Sequence, residues 1–296
     1  MQSLYGIIPP MTTPFDDNED VNLGMLQAEA KHLVENAKIH GIAVGGSTGE
    51  GHTLTTEELR QTVGTVCDAT DGKVPIIAGI IVDSTRQAIE RAKAVADLNV
   101  AALQITPVHY VFSPNDDATT KHFADVADAV DIPIIIYNVI WWNYCSPELL
   151  THIIDTVPGV VGVKQSAGDL KLLADLIVLL GDRGRILSAV DALMYPSFSM
   201  GAHGAVAAIL AAVPEMCVEL WDAVASGDDA TAKDLHVKLL AIWNAIWDDN
   251  LPANVKIALN LQGRPAGIPR SPMPQSSAAQ KAAIKAALMD AGVSLV

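Results

Sequence analysis

Runs of apolar residues alternate with amphipathic stretches along most of the chain. The apolar runs are nearly continuous in Val, Ile, Ala and Gly, which is typical of parallel strands that are buried on both faces. They predict strands at residues 6–8, 41–45, 75–81, 101–106, 133–138, 160–165, 185–190 and 204–209. The stretches between them predict helices at residues 23–35, 56–69, 84–98, 119–130, 147–156, 169–180 and 192–200.

This alternation of strand and helix predicts an α/β fold, a (β/α)₈ TIM barrel over residues 1–213. A doubly wound sheet is the alternative, but no GxGxxG motif follows the first strand. After Pro214 the strand pattern stops, and residues 215–226, 230–248, 252–261 and 275–291 predict helices. We therefore expect a C-terminal helical region, residues 214–296, packed on the barrel.

Composition narrows the range of partners. The chain has 19 Lys+Arg against 34 Asp+Glu, a formal charge of -15, which argues against nucleic acid or anionic membrane as the main partner. The longest apolar run, residues 204–214, has about half the length that a membrane span needs. With no signal-peptide pattern and only three widely separated cysteines, we expect reduced thiols, no zinc site and a cytoplasmic location.

Lys164 is the most informative single residue, because it interrupts the apolar run of the sixth predicted strand. A lysine is rarely buried unless it is paired or chemically active. Burial favours the neutral amine, which can attack a carbonyl carbon and form a Schiff base. The alternative is a lysine just past the strand that points to solvent or forms a salt bridge.

Two further strand ends carry groups suited to chemistry on an acid. The second strand leads into Gly-Gly-Ser-Thr-Gly-Glu at residues 45–50, where N–H groups and the hydroxyls of Ser47 and Thr48 can hold a carboxylate. An ordinary glycine-rich turn with a helix-capping hydroxyl is the alternative. Tyr137 ends the fifth strand, and its phenol can both donate and accept a proton, although such an aromatic residue often only packs.

Several motifs in one order resemble the pyruvate-dependent class I aldolase superfamily of dihydrodipicolinate synthase and N-acetylneuraminate lyase. The resemblance extends over nearly the whole chain. The matching segments are residues 6–15, GGSTGE at 45–50, TP at 106–107, IPIIIYNV at 132–139, GVVGVKQS at 159–166 and the stretch from Asp191 to Val206.

The resemblance implies a role for each matching residue. Lys164 would form an imine with C2 of pyruvate or another 2-oxo acid, and Tyr137 would relay protons. Ser47 and Thr48, with Gly46 beside them, would hold the substrate carboxylate. No metal and no organic cofactor is implied, and the expected assembly is a homotetramer built from two dimers.

Departures from the family pattern are equally informative. Dihydrodipicolinate synthases carry an arginine five residues after the position of Tyr137, where it receives the carboxylate of the second substrate; here that position holds Trp142. This disfavours a role in lysine biosynthesis. The tyrosine that usually follows the TP motif and crosses a subunit interface has two possible equivalents, His109 and Tyr110.

The region that binds the distal part of the substrate is also unusual. It reads Ala189-Val190-Asp191 and, on the eighth strand, Ala207-Ala208, where neuraminate lyases place polar groups. Asp191 can bind substrate or cap a helix. Trp141 and Trp142 can cover a substrate or form core or subunit contacts. Together these changes suggest a distal substrate portion that is less polar or aromatic.

Three functions remain open from the sequence. The first is a lyase that cleaves or forms an aldol bond between a 2-oxo acid and an aldehyde through an imine on Lys164. The second is a hydro-lyase or hydratase-aldolase, in which the same enamine expels a β-hydroxyl. The third is a non-catalytic protein that binds 2-oxo acids, which the presence of Lys164, Tyr137, Ser47 and Thr48 together disfavours.

Overall fold

Eight parallel strands form one curled sheet, in the order β1-β8-β7-β6-β5-β4-β3-β2, in the computed structural model, which describes residues 4–108 and 110–296. The chain just after β1 pairs with β2, because Met11 N donates to Ala43 O at 2.9 Å and Ala43 N donates to Pro9 O at 3.0 Å. This pairing closes the barrel. The strands are β1 (Gly6–Ile7), β2 (Ile42–Val44), β3 (Ile76–Ile80), β4 (Ala102–Ile105), β5 (Ile134–Asn138), β6 (Val160–Gln165), β7 (Arg185–Ser188) and β8 (Gly204–Ala205).

A helix follows each strand, and polar side chains fix where most of these helices begin. Ser84, Asn115 and Ser146 each accept an N–H from the first turn, and Thr55 forms a capping box with Glu58. The barrel helices are α1 (Leu23–Glu35), α2 (Thr56–Thr70), α3 (Thr85–Ala94), α4 (Asp116–Ala129), α5 (Pro147–Thr156), α6 (Leu170–Leu180), α7 (Met194–Ser199) and α8 (Ala208–Ala212).

The predicted TIM barrel is confirmed, with one clear error at its eighth strand. The sequence predicted a strand over residues 204–209, but β8 ends at Ala205 and α8 begins at Ala208. Helix α8 reads Ala-Ile-Leu-Ala-Ala, in which Ala and Leu are good helix formers, so the chain turns helical once it leaves the barrel wall. The start of α4 also moves, to Asp116, because Asn115 caps it.

Two layers of apolar side chains hold the barrel together. Alternate strand residues such as Ala43, Ile77, Ile135 and Leu187 form a cluster of their own. Because side chains alternate along a strand, we assign this cluster to the barrel interior. Their strand neighbours, such as Ile136, belong to a larger cluster shared with the helices.

Four more helices follow the barrel: α9 (Pro214–Ser226), α10 (Asp229–Ile246), α11 (Leu251–Leu261) and α12 (Ala278–Asp290). Leu220, Leu239, Val255 and Ile284, one from each helix, belong to the same large apolar cluster as the outer layer of the barrel. The C-terminal region is therefore packed onto the barrel. Within the described residues, no helix has both the length and the apolar character that crossing a membrane would require.

A buried ion pair joins α11 to the loop that follows β2. Lys256 Nζ lies 2.6 Å from Glu50 Oε1, and both side chains are almost fully buried. Lys256 also donates to Ile268 O at 2.7 Å, and Arg270 N donates to the second carboxylate oxygen of Glu50 at 2.9 Å. Burial lowers the pKa of Lys256, whereas the Glu50 carboxylate raises it. Each charge is thus compensated by the other and by backbone groups.

We predict that Lys256→Met destabilises the protein by about 3–5 kcal/mol, because it leaves the Glu50 carboxylate buried without its cation. Urea unfolding followed by circular dichroism measures this change. The double variant Lys256→Met/Glu50→Gln should recover part of the loss. Lys171→Met, which breaks the exposed pair with Asp175, is the control and should have little effect. Equal unfolding midpoints for Lys256→Met and the wild type would contradict the prediction.

Candidate active site

A cavity of about 640 Å³ opens where the barrel strands end and the loops begin. This is the end of a (β/α)₈ barrel at which catalytic groups collect. Six of the residues selected from the sequence line it: Ser47, Thr48, Tyr137, Lys164, Asp191 and Ala207. They come from the loops or ends of five strand–helix units, so the fold brings together residues that are far apart in the chain.

Lys164 lies on β6 at the inner end of this group. Its pairing partner on β5 is Tyr137, and the ammonium nitrogen lies 3.8 Å from the centre of the Tyr137 ring. The side chain of Lys164 is only 4% exposed. Among the described residues no carboxylate forms an ion pair with it. The amine is therefore held against an aromatic face at the edge of a cavity, with no salt-bridge partner in the described part of the chain.

Tyr137 connects Lys164 to the loop of residues 45–50. Its hydroxyl donates to Ser47 Oγ at 3.1 Å, while its ring contacts the Lys164 amine. Ser47 itself is exposed to the cavity, whereas Tyr137 is buried. The Tyr137 phenol and the Ser47 hydroxyl therefore form a hydrogen-bonded pair beside the amine, and such groups can pass a proton in either direction.

The loop after β2 presents free backbone donors. The N–H groups of Gly49, Glu50 and Gly51 are used within the loop, on Gly46 O and Ser47 O. In the part of the chain that is described, the N–H groups of Ser47 and Thr48 have no acceptor. Gly45 makes this turn possible, since it has a φ of 74° and a Cβ there would lie 2.6 Å from Leu59. The loop can thus hold a carboxylate by N–H donation.

Asp191 faces the cavity from the segment after β7. Its Oδ1 accepts the N–H of Ile209 at 2.8 Å, in the first turn of α8, so it caps a neighbouring helix rather than its own. Burial raises the pKa of Asp191 to about 6, although this hydrogen bond and the positive charge of Lys164 oppose the shift. Asp191 therefore caps a helix and also lines the cavity, and its role in binding substrate stays a prediction.

A buried amide network shapes the loop between β5 and α5. Asn138 donates to Cys145 O at 3.0 Å and to Gln165 Oε1 at 3.1 Å, and it accepts the N–H of Cys145 at 2.9 Å. This closes the loop that carries Trp141 and Tyr144 into the cavity wall. Burial raises the pKa of Tyr144, with a smaller contribution from Tyr137. The sequence alone did not indicate Tyr144, because only the folded loop brings this residue to the cavity wall.

The C-terminal region supplies the outer wall of the cavity. Trp243 and Trp247 are four residues apart, a spacing that on a helix is typical of a packing or assembly face. In the structure these two rings line the cavity, with their centres 5.3 Å apart. Asp248, Asp249 and Met273 line it as well, and none of them was singled out from the sequence.

More acidic than basic side chains face the cavity among the described residues. Among the described lining residues, Lys164 is the one cationic side chain, whereas Asp191, Asp248 and Asp249 are acidic. Elsewhere in the described residues no three His, Cys, Asp or Glu side chains are grouped so that they could hold a metal ion. Lys164 is therefore the cationic partner, among the described lining residues, for a negatively charged substrate group, and the Ser47–Thr48 groups are neutral donors for it.

Three of the selected residues that the structure describes are not part of the cavity lining. Gly46 is buried behind the loop, where a Cβ would approach the Gln104 amide to 3.5 Å. Trp142 is exposed beside Trp141 and does not line the cavity, and Tyr110 is exposed, with its N–H donated to Asp83 at 2.8 Å. His109 lies outside the described residues, so the choice between His109 and Tyr110 stays open.

Comparison with known proteins finds relatives that match nearly the whole chain. The chain is 34% identical over 293 residues to the 4-hydroxy-tetrahydrodipicolinate synthase of Methanopyrus kandleri, covering 98% of this chain and 97% of that protein. It is also 34% identical over 296 residues to the enzyme of the same name from Symbiobacterium thermophilum, covering 99% and 100% of the two chains.

A solved structure has the same fold over the whole length. The chloride-inhibited dihydrodipicolinate synthase of Acinetobacter baumannii, complexed with pyruvate, superposes with a TM-score of 0.93 at 27% identity, covering 99% of this chain and 100% of that one. The model of the dihydrodipicolinate synthetase family matches residues 3–291. With that match and those relatives, the chain belongs to the dihydrodipicolinate synthetase family.

Proposed function

We propose that the protein is a class I lyase that makes or breaks a carbon–carbon bond next to a 2-oxo acid, through an imine on Lys164. The observation that carries this proposal is the buried Lys164 amine, which contacts Tyr137 and faces a cavity without an ion-pair partner among the described residues. The pyruvate complex of the Acinetobacter baumannii relative supports pyruvate as the 2-oxo acid.

Substrate binding begins with the carboxylate. The free N–H groups of Ser47 and Thr48, with their hydroxyls, are the donors suited to it. With the carboxylate held there, C2 of a 2-oxo acid lies toward Lys164, because Ser47 is hydrogen-bonded to the tyrosine that contacts the amine. Fixing both groups in this way lowers the entropic cost of the first bond-forming step.

Imine formation then requires proton transfers that Tyr137 can perform. The neutral amine of Lys164 attacks C2, the C2 oxygen leaves as water, and the nitrogen becomes a protonated imine. Tyr137 supplies and removes protons at the oxygen and nitrogen, using Ser47 as the link to the cavity. We also propose that Tyr110 or His109 of a second copy of the chain completes this relay, with Thr48 aligning it.

The protonated imine provides the driving force for the bond change. It accepts the electron pair that is released when the C3–C4 bond breaks or when a C3 proton leaves, which gives an enamine. Attack of enamine C3 on an aldehyde carbon is the reverse step. Water then hydrolyses the imine and frees Lys164. Expulsion of a β-hydroxyl from the same enamine would make the protein a hydro-lyase.

Self-association is part of the proposal. Two loops next to the cavity expose large apolar side chains that are 57–80% accessible: Tyr110, Val111, Phe112, Trp141 and Trp142. The loops are joined by a hydrogen bond of 2.8 Å from Asn143 Nδ2 to Val108 O. Such a patch marks an interaction surface, and a homotetramer formed from two dimers is the assembly we propose. We place the protein in the cytoplasm, as the three separate cysteines suggest.

Borohydride reduction in the presence of pyruvate tests the imine. We expect a stable adduct of one pyruvate on the peptide that contains Lys164, and no adduct in Lys164→Ala. Peptide mass mapping locates the modification. Lys256→Arg is a matched control, because it changes another buried lysine that does not line the cavity. An adduct at another lysine, or none with any 2-oxo acid, would overturn the assignment.

Product analysis separates the two reactions that the enamine allows. Release of pyruvate with a shorter carbonyl compound indicates aldol cleavage. Loss of water without shortening of the carbon chain indicates dehydration.

Light scattering tests the assembly. Phe112→Asp should lower the solution mass, because it places a charge in the middle of the exposed apolar patch. It should also reduce turnover by tenfold or more, on the order expected when a proton-relay residue is withdrawn. Val237→Asp, at an exposed apolar position on α10, is the control. A wild-type chain that is monomeric and fully active would contradict this part of the proposal.

The raised pKa of Asp191 gives a pH-dependent prediction. The pKa of its carboxyl is about 6 in the folded state. An aspartate in an unfolded chain has a pKa of about 3.9, so the folded state binds the proton more tightly. The folded state therefore loses stability from this group as the pH rises from about 4 to 6, and the deficit persists above pH 6. Asp191→Asn, which does not titrate, should gain about 1–3 kcal/mol relative to the wild type between pH 4 and pH 7. Urea unfolding at several pH values measures this, and a constant difference between the two proteins would contradict it.

A further inference from the structure

The outer half of the cavity is built by the C-terminal region rather than by the barrel. Trp243, Trp247, Leu251, Pro252 and Met273 form this wall, and they come from the end of α10, the start of α11 and the segment before α12. A three-carbon acid held between Ser47 and Lys164 would fill only a small part of a cavity of about 640 Å³. The remaining space is large enough for a second reactant.

Aromatic side chains dominate this space. Trp243 and Trp247 lie with ring centres 5.3 Å apart and planes 33° apart, and Trp141 lines the cavity from the loop after β5. Trp247 is 63% exposed, so a large indole face is open to a substrate that enters the cavity. Rings of this kind bind another aromatic ring by stacking or by edge-to-face contact, and they gain from covering apolar surface.

The charges in the same space are unfavourable for an anion. Asp248 and Asp249 line the outer cavity, and Asp248 is fixed by hydrogen bonds of 2.8 Å from Gln280 Nε2 and from Asp249 N. Lys164, the cationic side chain among the described lining residues, would be bound to the 2-oxo acid as the imine. A second carboxylate on the incoming reactant would therefore meet two aspartates and no basic partner.

We infer, on the basis of the proposed function, that the carbonyl partner of the 2-oxo acid is an uncharged aromatic aldehyde, selected by Trp243, Trp247, Asp248 and Asp249. In the condensing direction, C3 of the enamine attacks the aldehyde carbon and a new carbon–carbon bond forms. The aldehyde oxygen takes a proton, and water hydrolyses the imine. The product is a 2-oxo acid with a hydroxyl and an aryl group on C4, and the cleavage reaction is the reverse.

An isosteric pair of aldehydes tests the charge selection. 4-Formylbenzamide is neutral and 4-formylbenzoate is anionic, but the two have nearly the same size and shape. With pyruvate as the other reactant, we expect kcat/KM to be about tenfold or more higher for the amide. Asp249→Lys should reduce this ratio by about fivefold or more, because it replaces a repelling charge by an attracting one. Asp290→Lys is the matched control, since Asp290 ends α12 and does not line the cavity, and it should leave the ratio unchanged.

A second pair of aldehydes tests the aromatic wall. The ratio of kcat/KM for 4-formylbenzamide to that for acetaldehyde should fall about tenfold in Trp247→Ala, because the smaller aldehyde does not reach the indole. Trp247 is well exposed, so its replacement leaves the core intact. If Trp247 had only a structural role, the substitution would lower kcat/KM for both aldehydes together and leave their ratio unchanged.

The outcomes separate this inference from the proposed function. Failure to trap pyruvate on Lys164 would overturn the proposed function itself. Normal trapping, combined with an equal or better rate for the anionic aldehyde, would overturn the inference alone. Normal trapping with no turnover of either aromatic aldehyde would also overturn the inference and leave the imine chemistry in place.

Discussion

The alignment of β5 with β6 is the constraint on which the site depends. Parallel pairing places Tyr137 beside Lys164. Both residues lie at positions of their strands that face the barrel interior. A slip of β6 by one residue would turn Lys164 toward the helices and bring Val163 into the cavity instead. The small residue Gly162, whose Cβ would lie 2.4 Å from Arg185 O, keeps β6 close to β7 in this region. The packing of the barrel therefore fixes the distance between amine and phenol.

The C-terminal region completes what the barrel begins. Through Lys256, α11 neutralises Glu50, the last residue of the loop that presents the free N–H groups of Ser47 and Thr48. The same helix begins with residues that line the outer cavity. One packing arrangement thus supports the carboxylate-binding loop and shapes the space for the second reactant. It also explains how a strongly acidic chain can accept an anionic substrate, because backbone donors provide the local attraction.

The sequence was sufficient for the barrel and for the inner part of the site. Continuous Val and Ile runs identify buried parallel strands. A lysine inside such a run, here Lys164, is rare enough to indicate a chemical role. The residues that the C-terminal region adds to the outer part were not predictable. The spacing of Trp243, in α10, and Trp247, just after it, is the same whether they face a core, another subunit or a cavity, and only the packing of α10 on the barrel decides. Tyr144 depends in the same way on a loop that Asn138 holds closed.

Exchange of the methyl protons of pyruvate in heavy water is the most direct measurement of the central claim. It requires an imine and an enamine on the protein but no aldehyde, so it is independent of the second reactant. We expect the wild type to replace these protons by deuterium well above the uncatalysed rate, as nuclear magnetic resonance would show. Tyr137→Phe should slow the exchange by about 10²–10⁴-fold, and Lys164→Ala should abolish it. Exchange that continues at the wild-type rate in Lys164→Ala would contradict the account.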